Sequence, residues 1–231
     1  MPVLDQWELR LDADAVVRGQ GADPDVLRQR RPRLFEIAAQ ALEEARPLIQ
    51  PRLLYERYAV EAVRHARVLL SGGGELKGEA LAQHLAAAQE VLVVICTIGP
   101  ALEAYTQQVM ETEMVRGLAL YGVGSAAAEA LANAACRYFE CQAAERGWQT
   151  TIPLSPGMIG WPVEQGQPQI FSLLDAAQVG VRLTPAAIMQ PLKSLSLVLG
   201  QGLELDRPGR VCDYCAMRSV CRYQSSDVPA S

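Results

Sequence analysis

TIPLSPGMIGWPVEQGQPQIFSLLDAAQVGVRLTPAAIMQPLKSLSLVLGQG, residues 151–202, alternates chain breakers with short apolar runs. Pro156-Gly157 is excluded from a helix interior, because proline lacks the N–H and glycine frees φ. Gly160, Pro162 and Gly166 prolong the irregular backbone. Gln169 to Gln178 then reads as a short helix, with Pro168 near its start and Ile170, Phe171 and Leu174 on one face. Thr184-Pro185 marks a helix cap or a turn. Ser194 to Leu199 alternates polar and apolar residues and reads as a strand.

Upstream, Val91-Leu92-Val93-Val94-Ile95 is a continuous apolar run and predicts a central strand buried on both faces. It leads into Thr97-Ile98-Gly99-Pro100-Ala101-Leu102-Glu103, where Pro100 opens a helix through Val109. Glu103 in the first turn favours the helix dipole. Leu118 to Glu145 predicts a long helix loaded with small residues, among them Gly122, Gly124, Ser125, Ala126, Ala127 and Ala128. Such a face admits another backbone or a flat ligand. Glu129 is the one charge between Val123 and Cys136, and Gly147 is placed as a C-cap.

Farther out, residues 1–22 read as a polar lead-in. Asp23-Pro24 is an N-cap followed by proline at the first helical position, and Pro32 restarts the helix. Leu34, Ile37, Ala38, Ala41, Leu42, Ala45, Leu48 and Ile49 make an amphipathic stripe, with Glu43 and Glu44 on the solvated side. Leu53–Val60 and Ala66–Leu70 predict strands, and Glu79–Gln89 a helix. Gly72-Gly73-Gly74 lacks the Gly-Lys-Ser/Thr of a phosphate loop and reads as a turn. Strands and helices do not alternate regularly. The expectation is therefore α+β, a bent and mostly antiparallel sheet flanked by helices, with an α/β three-layer sandwich as the alternative. One domain spans residues 1–203, and a cysteine-bearing appendage spans 204–231.

The 231 residues suffice to bury roughly 70% of the unfolded surface without staples. A net charge of −5 argues against nucleic-acid binding. No apolar run reaches membrane-spanning length, and Met1 to Arg10 carries no signal-peptide core. Six cysteines without an export signal point to a reducing, cytoplasmic setting. The two histidines, His65 and His84, lie far apart, which gives little support to a His-based metal site or a Ser-His-Asp relay.

Cys212, Cys215 and Cys221 form a CxxC pair with a third thiol six residues later. Two intervening residues let both sulfurs converge on one metal, so an iron–sulfur cluster or zinc is expected there. No histidine is nearby in sequence. The fourth ligand would come from Cys96, Cys136, Cys141, another chain or an exogenous molecule. Arg210, Arg218 and Arg222 would offset the thiolate charge.

Ser155-Pro156-Gly157, Trp161-Pro162, Phe171-Ser172-Leu173-Leu174 and Leu183-Thr184-Pro185 occur in that order. With Thr97–Glu103 and Gly124–Ala130, the chain over roughly residues 12–202 resembles the activation domain of vitamin B12-dependent methionine synthase, and most of all its short stand-alone relatives. The resemblance implies the same α+β fold and S-adenosylmethionine as ligand. It places Glu129, Ser155, Pro156, Gly157, Met158 and Gly160 at the binding site. It implies a cobalamin-binding methionine synthase or corrinoid protein as partner, with cobalamin held by that partner, and an electron donor such as flavodoxin or ferredoxin. Stand-alone relatives carry a similar C-terminal cysteine cluster. The family's arginine three residues before Pro-Gly is Pro153 here, and its following tyrosine is Met158. A bidentate contact to the ligand carboxylate is thereby missing, which is worth about 1.5–3 kcal/mol. Binding is then lost, altered, or restored by Arg182 or Lys193. Three functions follow: an activation subunit acting in trans, a docking or electron-transfer module built on the cysteine cluster, or a structural subunit without ligand.

Overall fold

The computed structural model describes residues 1–205 and 211–215. In chain order the elements are β1 (Val3–Leu4), α1 (Ala13–Gly19), α2 (Pro24–Arg30), α3 (Pro32–Ala45), β2 (Arg52–Arg64), β3 (Arg67–Leu70), β4 (Gly74–Lys77) and α4 (Glu79–His84). There follow β5 (Glu90–Thr97), α5 (Ala101–Met110), α6 (Met114–Glu145), β6 (Gln149–Thr150), α7 (Val163–Leu173), β7 (Arg182–Leu183), β8 (Met189–Gln190) and β9 (Ser194–Gly202). One sheet has the order β4–β3–β2–β5–β9–β6, with β1 paired to β2, and every pairing in it is antiparallel. This is the expected α+β architecture. The bend comes from β2, whose first half pairs with β5 while its second half pairs with β3 across a register shift at Val60/Ala62.

β5 carries the sheet's two faces. Leu92, Val94 and Cys96 point into a core shared with α1, α3, α5 and α6. Val91, Val93 and Ile95 point into a second core shared with α4, α7 and the 154–161 segment. A strand covered on both sides cannot alternate polar and apolar residues, which is why 91–95 reads as an unbroken run.

Three expectations are corrected. The polar lead-in contains β1 and α1, and Val16 and Val17 of α1 are fully buried. Two buried valines suffice for so short a helix because α1 lies directly on α6. The helix expected over 169–178 is instead α7 at 163–173, followed by a 3-10 turn at Ala176–Val179. Pro168 sits inside α7, not near its start, and it is exposed, so its ring disrupts only the solvent side. The helix after Gly78 stops at His84.

Glu44 is not a solvated side chain. It accepts hydrogen bonds from Tyr105 Oη and from the Arg116 guanidinium, and Arg116 Nη2 also donates to Tyr105 Oη at 2.9 Å. This ties α3 to α5 and α6. The hydrogen bond from Arg116, opposed by partial burial, holds the Glu44 carboxyl below its ordinary range. A carboxylate with a lowered folded pKa adds stability above its unfolded pKa and loses it as pH falls through the folded pKa. Glu44→Gln is therefore expected to cost about 1–2 kcal/mol at pH 7 in urea unfolding. The difference from wild type should shrink below pH 4; a gap independent of pH would mean that packing, not charge, holds the three helices.

Candidate ligand-binding site

Ser155 to Trp161 folds as two interlocked turns. Ser155 N–H donates to Met158 Sδ, and Met158 N–H donates to Ser155 O at 3.2 Å. Gly157 N–H donates to Trp161 O at 2.8 Å, and Trp161 N–H returns to Met158 O at 3.0 Å. Gly157 and Gly160 have φ of 104° and 80°, a conformation that favours glycine. Leu154, Met158 and Trp161 anchor the turn in the second core. The N–H groups of Gly157 and Met158 are thus occupied within the turn, and Ile159 N–H donates to Tyr214 O at 2.9 Å. The amides of Gly157, Met158 and Ile159 are therefore not free to hold an anion.

The segment 211–215 seats on this same turn. Cys215 bridges to Met158, and the rings of Tyr214 and His84 meet edge-on at 4.6 Å. His84 is remote from the CxxC pair in sequence, yet α4 brings it beside the tyrosine between Cys212 and Cys215. Cys96 and Cys136 do not qualify as a fourth ligand. Both belong to the first core, across the sheet from this segment, and burial pushes both thiols up to about 12. Among the described residues no group of three or more His, Cys, Asp or Glu is placed to hold a metal. Cys221 lies outside the described residues, as do Arg210, Arg218 and Arg222.

α6 packs against β9 and β6, and Gly147 (φ 69°) caps it and reverses the chain. Glu129 lies on α6, which packs on the first core, whereas the Ser155 turn is anchored in the second. Glu129 is half-buried, and among the described residues nothing pairs with it.

Tyr121, Ser125 and Glu129 follow one another at four-residue spacing along α6. Lys193 lies across this ridge. Its Nζ is 2.8 Å from Ser125 Oγ and 3.2 Å above the Tyr121 ring centroid. Its methylenes pass over Gly124, where a Cβ would stand 3.1 Å from two of them. Lys193 lines a cavity of about 170 Å³ with Glu103, Gln107, Tyr121 and the apolar side chains of Leu102 and Leu120. A second cavity, about 350 Å³, shares Glu103 and Gln107 and adds Arg182 and Pro191. Glu103 does more than face a helix dipole: its Oε2 accepts the Leu192 N–H at 2.7 Å and holds the 191–193 loop over the cavity. The sequence reading named Lys193 and Arg182 but missed Tyr121; its four-residue offset from Ser125 was the available signal.

No helix among the described residues is long and apolar enough to cross a membrane. No protein-family profile matches the chain, and no curated protein matches it. Among solved structures, the chain is similar to the crystal structure of the MetH reactivation domain bound to AdoHcy. That likeness covers 87% of this chain and 78% of the other, with a TM-score of 0.58 and 14% identity. At this identity the shared feature is the fold, a curled antiparallel sheet flanked by helices.

Proposed function

We propose that this protein reactivates a cobalamin-dependent methionine synthase or a related corrinoid protein in trans, by presenting S-adenosylmethionine to the partner's cobalamin. The carrying observation is the fold match to a reactivation domain over most of both chains. The neighbour's ligand, AdoHcy, is what S-adenosylmethionine becomes on losing its methyl group. In this reading one electron from a flavodoxin- or ferredoxin-type donor reduces cob(II)alamin to cob(I)alamin. The reduced cobalt takes the sulfonium methyl, giving methylcobalamin and S-adenosylhomocysteine. The protein's share is positioning rather than acid–base work. Glu129 and the outer surface of the Ser155, Pro156, Gly157, Met158 and Gly160 turn are the proposed contacts at the nucleoside end. Met114, Val115, Leu118 and Tyr121 leave an apolar strip exposed at the start of α6, continuous with the Lys193 cavity through Tyr121. A corrinoid partner seated on that strip would close the ligand against solvent.

The test combines the protein with cob(II)alamin-loaded methionine synthase whose own reactivation domain has been removed, a reductant and S-adenosylmethionine. The methylcobalamin spectrum is expected to appear only when all four are present. Its absence, together with no heat of binding for S-adenosylmethionine or AdoHcy, would overturn the reading.

One observation favours a second reading, a corrinoid-docking or electron-transfer module: the Cys212–Cys215 segment sits directly on the Ser155–Trp161 turn. In that reading Cys212, Cys215 and Cys221 hold an iron–sulfur cluster or zinc. Anaerobically purified protein is then expected to contain iron, with absorbance near 400 nm, or zinc. Protein free of both metals would overturn it.

A further inference from the structure

We infer that Lys193 is the carboxylate anchor of an α-amino-acid ligand, bound in the cavity between α5, α6 and the 190–193 loop. The inference rests on the reading above and supplies a cation for the amino-acid end of the ligand. An ammonium has three donors. Lys193 directs one at Ser125 Oγ and holds its charge over the Tyr121 ring, which leaves donor capacity unused. No carboxylate among the described residues comes within ion-pair distance of it. Glu103 is the carboxylate whose charge acts on it, and one of its oxygens is engaged by Leu192 N–H. Burial, partly countered by Glu103, pulls the Lys193 ammonium down to about 8, the mark of a cation desolvated without a matched anion.

The cavity beside this cation is mainly apolar, walled by Leu102, Leu120, Leu192 and Met110, with Glu103 and Gln107 at its edge. A cation, a carboxylate and an apolar wall around about 170 Å³ suit a zwitterion with a short apolar or thioether chain. The ligand carboxylate would meet Lys193, and its ammonium would meet the open lone pairs of Glu103. Arg182, on the adjoining cavity, makes no ion pair or side-chain hydrogen bond among the described residues and adds positive charge at the mouth. Glu129 lies one helical turn beyond Ser125, so a ligand running along the ridge from Lys193 brings its nucleoside end to Glu129. Gly124 admits the lysine stem, since a larger residue would lift it from the helix.

The experiment is calorimetric titration of the full chain, wild type, Lys193→Met and Lys193→Arg, with AdoHcy, 5′-methylthioadenosine and L-methionine. Lys193→Met is expected to weaken AdoHcy binding 10- to 100-fold, as loss of one charge-assisted contact implies. Lys193→Arg should retain most of it. Methylthioadenosine, which lacks the amino-acid end, should bind all three alike. The melting temperature of Lys193→Met should equal or exceed wild type, because a desolvated charge is removed, so weak binding is not read as unfolding. Equal AdoHcy affinity in wild type and Lys193→Met, or an equal loss for methylthioadenosine, overturns the inference and leaves the proposed function standing. Lys193-dependent binding of L-methionine without AdoHcy binding supports the anchor and removes the nucleoside reading. No binding of any of the three ligands removes both.

Discussion

Trp161→Ala is expected to destabilise the protein by about 3–5 kcal/mol, the range for emptying a large aromatic site in a packed core. Trp161 is 1% exposed and is the largest fully buried side chain. A Cβ at Gly78 or Gly166 would already stand 3.0 or 2.9 Å from its ring. The cavity left by truncation is bounded by the backbone of α4 and α7, which cannot close on it without moving both helices. The same side chain anchors the Ser155–Trp161 turn, two of whose backbone hydrogen bonds are made by residue 161. At roughly 2–4 °C per kcal/mol for a domain of this size, the melting temperature should fall by about 10 °C. Trp161→Phe should cost far less, because the indole Nε1 has no partner and its removal eliminates an unsatisfied buried donor. Urea unfolding of both variants checks this; a loss below about 1 kcal/mol for alanine would show that the turn does not depend on the ring.

Gly122→Leu should be nearly as severe, at about 3 kcal/mol, the upper end for overpacking. A Cβ at residue 122 would come 2.7 Å from the carbonyl oxygen of Val16, and one at Gly19 would come 2.4 Å from the carbonyl oxygen of Gly122. Here α1 and α6 cross backbone to backbone, so no rotamer relieves the clash and α1 must lift from the core. Gly124→Ala two residues on is the internal control. Its obstacle is the flexible stem of Lys193, and the expected cost is below about 1 kcal/mol. Thermal melts that rank the two substitutions in the opposite order would refute the assigned roles of these glycines.

The two glycines show where sequence reasoning stops. A small-residue face on a long helix is legible in the text, and so is its meaning: something approaches closely. Which partner approaches is not. Gly122 receives a helix backbone and Gly124 a lysine stem from a residue 69 positions away, and nothing local distinguishes them. The same limit applies to Glu44. Its neighbours Tyr105 and Arg116 belong to other helices, so the helical wheel assigns it to solvent although it joins three elements.

What the sequence determined by itself are the features set by near neighbours in the chain. Proline and glycine restrict or free the backbone wherever they stand, so the break at 155–160, the C-cap at Gly147 and the N-cap at Asp23 were readable. A fully apolar run of strand length has one stable environment, the middle of a covered sheet, and β5 occupies it. From these the α+β class follows. Tertiary structure alone decided the rest. It packed α1 out of a stretch that reads as polar and placed His84 beside Tyr214. It engaged the amides of Gly157, Met158 and Ile159 in hydrogen bonds, and it carried Lys193 across α6 to Ser125 and Tyr121. Each of these rests on contacts between residues distant in sequence, whose free energy depends on the sheet pairing that brings them together and is therefore invisible to any local pattern.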